Sequence, residues 1–99
     1  MSNEVGLDDE HLSRVFNALG NPIRLRILDL VAKTERPLHI KAIANALQMD
    51  YAAAYRHIDV LKKAGLMRIY EVGRSRVLSL LHRDTLDQLL SLGSQIRPE

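Results

Sequence analysis

Six cations stand within residues 51–76, namely Arg56, Lys62, Lys63, Arg68, Arg74 and Arg76, against two carboxylates, Asp59 and Glu71, a net of +4. The preceding 50 residues hold six Lys/Arg and seven Asp/Glu, a net of −1, and the chain as a whole carries only +2. Basic charge gathered in one stretch suits a surface that faces a polyanion, although a solvated face carries such charge as well. The residue types sharpen the first reading. An Arg56 guanidinium can pair bidentately with guanine in a major groove, and the hydroxyls of Tyr51 and Tyr55 can reach phosphates or base edges. Ala52 and Ala53 permit close approach and apolar contact with thymine methyls, or serve only as good helix formers. Arg74, Ser75 and Arg76, beside Gly73, make a cationic tip suited to phosphates or a minor groove; an ordinary solvated turn is the alternative. Lys62 and Lys63 either track phosphates or keep a helix end soluble near its negative dipole.

Other chemistries find little support. The chain has no cysteine, which excludes disulfides, thiolate metal sites and thiol redox sensing. His11, His39, His57 and His82 fall in four different segments with no i, i+4 pair, so no metal is expected, and each reads as a surface or core histidine. His57 reads as structural, packed beside an apolar stripe. No nucleophile motif, phosphate-binding glycine loop or carboxylate pair stands out, so neither enzymatic activity nor a cofactor is expected.

The elements that must position these residues follow from caps and periodicity. Asp8 and Asp9 can cap a helix with the stripe Leu12, Val15, Phe16 and Leu19, ended by Gly20. Asn21-Pro22 starts a second helix to about Lys33, with Ile23, Ile27, Leu28, Leu30 and Val31 inward and Arg24 and Arg26 off the stripe. Thr34-Glu35-Arg36-Pro37 breaks it, and Leu38-His39-Ile40 suits a brief strand. A third helix fits Lys41–Leu47. Asp50 can cap a fourth from Tyr51 to about Ala64, with Ala54, Ile58 and Leu61 inward and Tyr51, Ala52, Tyr55, Arg56, Asp59 and Lys62 outward; Gly65 ends it. Leu66–Val72 and Arg76–Leu81 then read as a β-hairpin around a Gly73-Arg74-Ser75 turn. A last helix is expected over Asp84–Ile96, with Leu86, Leu89, Leu90 and Gly93 on one side.

The order α-α-β-α-α-β-β-α is mainly helical with a small hairpin, the order of a winged helix-turn-helix. The fourth helix would enter a major groove and the hairpin would be the wing. The 99 residues suit one domain, 1–99, with a thin stability margin that pairing with a second copy would widen. At 46% apolar and 26% charged residues the mixture is globular. No run nears the roughly 20 apolar residues of a membrane span, and the acidic Met1–Glu10 has no signal core. A cytoplasmic protein without a membrane partner is expected.

Two segments and the wing resemble the ArsR-type family of winged helix-turn-helix regulators: Leu19-Gly20-Asn21-Pro22-Ile23-Arg24-Leu25-Arg26-Ile27-Leu28; Tyr55-Arg56-His57-Ile58-Asp59-Val60-Leu61-Lys62-Lys63-Ala64-Gly65-Leu66; and Gly73-Arg74-Ser75-Arg76. The resemblance implies a homodimer built from the first and last helices, here through Leu12, Val15, Phe16, Leu86, Leu89 and Leu90. It implies sequence-specific binding of double-stranded DNA at a pseudo-palindromic operator, half-sites about one helical turn apart, and repression of transcription. Tyr51, Ala52, Ala53 and Tyr55 replace the family's usual Ser or Thr, so its operator does not carry over. The Cys-x-Cys of one metal-sensing type is absent from Ile43-Ala44-Asn45-Ala46, and the last helix has Asp84 and Asp87 but no His. The sequence does not identify a small-molecule effector. Two rival functions share the fold: a protein–protein interaction module, and a weakly specific protein that coats DNA.

Overall fold

A computed structural model describes residues 8–99; residues 1–7 of the acidic Met1–Glu10 segment lie outside the described residues. The elements are α1 (Asp9–Leu19), α2 (Pro22–Lys33), β1 (Leu38–His39), α3 (Ile40–Ala46), α4 (Tyr51–Lys63), β2 (Met67–Val72), β3 (Ser75–Leu80) and α5 (Arg83–Gly93). The order is the expected one.

Local chemistry sets most boundaries. The Asp8 carboxylate accepts from the His11 amide at 3.0 Å, that of Asp50 from Ala53 at 2.7 Å, and the Asn21 side-chain oxygen from Ile23 at 2.9 Å and Arg24 at 3.2 Å. Each satisfies amides that a helix start leaves without partners. α4 ends on a Schellman motif. Gly65 takes φ +83°, its amide donates to Lys62 O at 3.0 Å, and the Leu66 amide donates to Leu61 O at 3.0 Å. The Ala64-Gly65-Leu66 ending thus has a physical basis. Gly65 supplies the left-handed turn, and Leu66 is carried back into the core beside Leu61. α3 ends the same way, with Gln48 at φ +53° in the turn before α4 and the Met49 amide donating to Ala44 O at 3.0 Å.

The sheet adds a pairing that hydrophobic patterning does not specify. β1 joins the hairpin as a third antiparallel strand, order β1-β3-β2, with Leu38 opposite Leu78 and His39 opposite Val77. Val72 pairs with Ser75, so the turn is the two residues Gly73-Arg74 and Ser75 opens β3. Gly73 takes φ +62° at the first central position, where a positive φ favours glycine. Alternation along the hairpin puts Met67, Ile69 and Glu71 on one face with their partners Leu80, Leu78 and Arg76.

The core lies between this sheet and the helices. Ile58 and Leu61 of α4 share one buried cluster with Ile27 and Leu28 of α2, Ile40 and Ile43 of α3, and Met67 and Leu78 of the sheet, and Ala54 is buried on the same side of α4. Arg83 reaches back to the end of α2, donating to Ala32 O at 3.3 Å, where a cation also suits the negative helix dipole.

Two expectations need correction. α5 ends at Gly93 instead of Ile96, and Ile96 is left 83% exposed beyond it. In the α1 stripe Leu12 and Phe16 are exposed and Val15 half-buried, while Ala18 and Leu19 do the core packing. Leu86, expected on a surface between two copies, is only 3% exposed and belongs to the chain's own core. One Leu per turn of α5 must anchor the helix to the body, and Leu86 takes that role.

Candidate nucleic-acid interface

α4 divides as its pattern requires. Ala54, Ile58 and Leu61 are fully buried, while Tyr51, Ala52, Arg56 and Lys62 are exposed and Tyr55 and Asp59 half-buried. Tyr51 and Tyr55, one turn apart, stack with ring centroids 6.5 Å apart and planes inclined by 22°. Arg76 of the wing lies over the Tyr55 ring, its guanidinium carbon 5.2 Å from the centroid, within the range of a cation–π contact. Arg76 is on the same sheet face as Leu78 and Leu80. The row of side chains that builds the core therefore continues outward into a cation laid on α4.

The outward residues of α4 and the hairpin thus form one continuous surface that includes Tyr51, Tyr55, Ser75 and Arg76. Arg56 lies one position beyond Tyr55 on the helix, and Arg74 is exposed at the tip. Among the described residues, no salt bridge engages Arg56, Lys62, Arg74 or Arg76. Lys63 differs from Lys62. It pairs with Asp59 at 2.9 Å, and that hydrogen-bonded carboxylate holds its ammonium pKa above the usual lysine value.

Behind this surface is a buttress that sequence patterning does not reveal. Arg24 Nε donates to Ala18 O at 2.7 Å and Nη2 to Asn17 O at 3.0 Å, while Nη1 lies 3.2 Å from Nδ1 of His57. Guanidinium only donates, so His57 Nδ1 accepts and its proton is on Nε2. Burial, then the positive charges of Arg24 and Arg56, lowers the His57 pKa from its ordinary value and keeps the ring neutral. The reading of His57 as structural is supported, and its partner is a side chain on α2.

Elsewhere, Phe16, Leu19, Leu25, Leu89, Leu90 and Leu92 line an apolar groove of about 470 Å³ between α1, α2 and α5. Phe16 is 53% and Leu92 60% exposed. Leu25 and Leu92 escaped the sequence reading. Leu25 is off the α2 core stripe, and Leu92 continues a stripe of α5 different from that of Leu86. Among the described residues no group of three or more His, Cys, Asp or Glu could hold a metal ion, and no helix is long and apolar enough to cross a membrane.

A helix-turn-helix domain family model matches residues 19–70, from the end of α1 to the middle of β2. The chain belongs to the helix-turn-helix domain family. It is 31% identical to a possible transcriptional regulatory protein of Mycobacterium bovis, in a crystal structure of its fragment 1–100. That match covers 88% of this helix-turn-helix chain and 94% of the other, with a TM-score of 0.76. The solution structure of the M. bovis domain Mb0332, a homodimeric winged helix-turn-helix DNA-binding domain and possible ArsR-family regulator, has a TM-score of 0.78 at 29% identity. It covers 91% of this chain and 83% of that one. The HTH-type transcriptional regulator Rv0324 of Mycobacterium tuberculosis is 35% identical over 75 residues, 76% of this chain. The chain spans 32% of the length of Rv0324. The resemblance to ArsR-type winged helix-turn-helix regulators is borne out, as is the fold class. Within this helix-turn-helix frame, Arg24 and His57 come from the two segments that carried the resemblance, and they meet in the structure.

Proposed function

We propose that residues 1–99 act as one winged helix-turn-helix domain that binds double-stranded DNA sequence-specifically as a homodimer and represses transcription. The observation that carries this reading is Arg76 laid over Tyr55, which makes the outward face of α4 and the wing a single basic surface. α4 enters the major groove. Arg56 reads a guanine edge, Tyr51, Ala52 and Tyr55 line the approach, and Lys62 follows a phosphate. Arg74, Ser75 and Arg76 lie on the adjacent minor groove or its phosphates.

The second copy docks on the apolar groove between α1 and α5 through Leu12, Val15, Phe16, Leu89 and Leu90, with Leu86 as support from beneath. Leu25 and Leu92 extend the face. Both helices lie outside the segment that matches the family model, apart from Leu19. The homodimeric state of the M. bovis domain supports pairing of two copies here. Pairing sets two α4 helices to face half-sites about one helical turn apart. A non-enzymatic regulator of this kind works in the cytoplasm, where its DNA is, without a cofactor.

The test is selection of bound duplexes from a random pool, followed by titration at several salt concentrations. A single enriched, two-fold-related site bound at least 10³-fold more tightly than random duplex is expected. Equal affinity for all duplexes would instead make the chain a coating protein. Indifference to DNA even at low ionic strength would make it a protein-interaction module.

A further inference from the structure

A cleft of about 180 Å³ lies where the wing tip approaches the start of α4, lined by His39, Lys41, Tyr51, Arg74, Ser75 and Arg76. These six side chains come from β1, α3, α4 and the hairpin, so only the tertiary fold assembles them. Three are fixed cations, one is an imidazole and two carry hydroxyls; every one can donate a hydrogen bond. Among the described residues no carboxylate lines the cleft, and Glu71, the cross-strand partner of Arg76, forms no salt bridge with it. The nearest acid in sequence, Asp50, is committed to the Ala53 amide at 2.7 Å. Neither salt bridge among the described residues involves a lining cation. Like charges gathered in one cleft repel one another, and an anion from outside relieves that repulsion. The cleft is smaller than the roughly 300–1,000 Å³ of sites for drug-sized molecules, which suits one compact anionic group.

We infer that the cleft seats a single phosphodiester of the DNA backbone, and that His39 and Lys41 are phosphate contacts. This rests on the DNA-binding reading above and adds a site to it. Arg74 and Arg76 approach the phosphate from the wing, Tyr51 from α4, and Lys41 and His39 from the opposite wall. A phosphate held between wing and helix fixes how deeply α4 enters the groove. It carries no base information itself.

His39 and Lys41 are exposed, and the His39 side chain makes no capping hydrogen bond, so both can be replaced without loss of the fold. The experiment takes the duplex selected by the wild-type chain and replaces each phosphate in turn with an uncharged methylphosphonate. For the wild type, one position per half-site should lose affinity roughly tenfold. The double variant H39Q/K41Q should bind all duplexes more weakly by the same factor, with a salt slope shallower by about one per subunit. Its sensitivity at that one position should shrink, since only Arg74, Arg76 and Tyr51 still contact that phosphate, and should stay as in the wild type at the others. A scan and slope unchanged from the wild type would overturn the assignment while leaving DNA binding intact. A wild-type chain that binds no duplex would overturn both readings together.

Discussion

Arg24 and His57, 33 positions apart in the chain, meet with Nη1 3.2 Å from Nδ1. The same guanidinium holds the carbonyls of Asn17 and Ala18 at the end of α1. One side chain therefore ties α1, α2 and α4 together and satisfies carbonyls that a helix end leaves open. Arg24→Ala removes all three bonds, and we expect a loss of about 1–3 kcal/mol in urea denaturation. Arg24→Lys should recover less than half, because an ammonium has no planar fork to serve three acceptors. Equal stability of the lysine variant and the wild type would argue against the forked geometry.

The same pair makes stability depend on pH. The His57 pKa in the folded chain lies below its unfolded value near 6.5. As pH falls through 6.5 the unfolded chain takes up a proton that the folded chain refuses, so acidification destabilises the fold. Above 6.5 both states are neutral and the effect vanishes. His57→Gln keeps an acceptor for Arg24 but cannot titrate. Its melting temperature should fall less than that of the wild type between pH 7.5 and pH 5.5. Parallel curves would exclude His57 as the source.

Gln48 stands at φ +53° in the turn between α3 and α4. A β-branched residue is strained there. Gln48→Val should cost about 1–3 kcal/mol, whereas Gln48→Gly should be close to neutral, relief of strain offsetting the added freedom of the unfolded chain. Thermal melts of the two variants provide the comparison.

Phe16 and Leu86 should separate assembly from folding. Phe16 is 53% exposed, so Phe16→Asp should leave the helical circular-dichroism spectrum intact and shift the sedimenting species from dimer to monomer. Leu86, 3% exposed, is a core residue, and Leu86→Ala should cost about 2–5 kcal/mol of stability. A dimeric Phe16→Asp variant would remove the α1–α5 groove as the seam between copies.

Arg56 and Arg74 should behave differently on DNA. Arg56→Ala is expected to cost about 1–3 kcal/mol and broaden the selected site at one position per half-site. Arg74→Ala is expected to weaken binding to every sequence alike and flatten the salt dependence by about one per lost contact. An unaltered consensus for the first variant, or an unaltered slope for the second, would reverse that division of roles.

Much of the architecture was legible because its signals are local. Asp8, Asn21 and Asp50 carry side-chain oxygens that bond amides two or three residues on, so the starts of α1, α2 and α4 lie where their caps stand. Gly65 and Gly73 mark two of the turns that take a positive φ; Gln48 and His82 take it without that signal. What was not legible is non-local. The pairing of Leu38 with Leu78, the laying of Arg76 on Tyr55, and the contact of Arg24 with His57 each join segments that periodicity treats separately. The end of α5 misled for a different reason. Ser94 to Ile96 prolong an apolar spacing, but the chain passes into turns there, with the Gln95 amide on Leu92 O and the Ile96 amide on Gly93 O at 3.1 Å, and the Ser94 hydroxyl turns back to Leu90 O at 2.8 Å. The outward residues of α4 were found because their partners face inward; His39 and Lys41 escaped because only folding brings them beside the wing.

α4 is secured without help from most of its outer face. Asp50 holds its first turn, the Gly65 turn closes its last, and Ala54, Ile58 and Leu61 lock its inner side at zero exposure. Tyr51, Ala52, Arg56 and Lys62 are left with almost no duty to the scaffold. Mutation can therefore exchange them at little cost, and a descendant of this chain could acquire a new target by altering a handful of side chains on a frame that need not change.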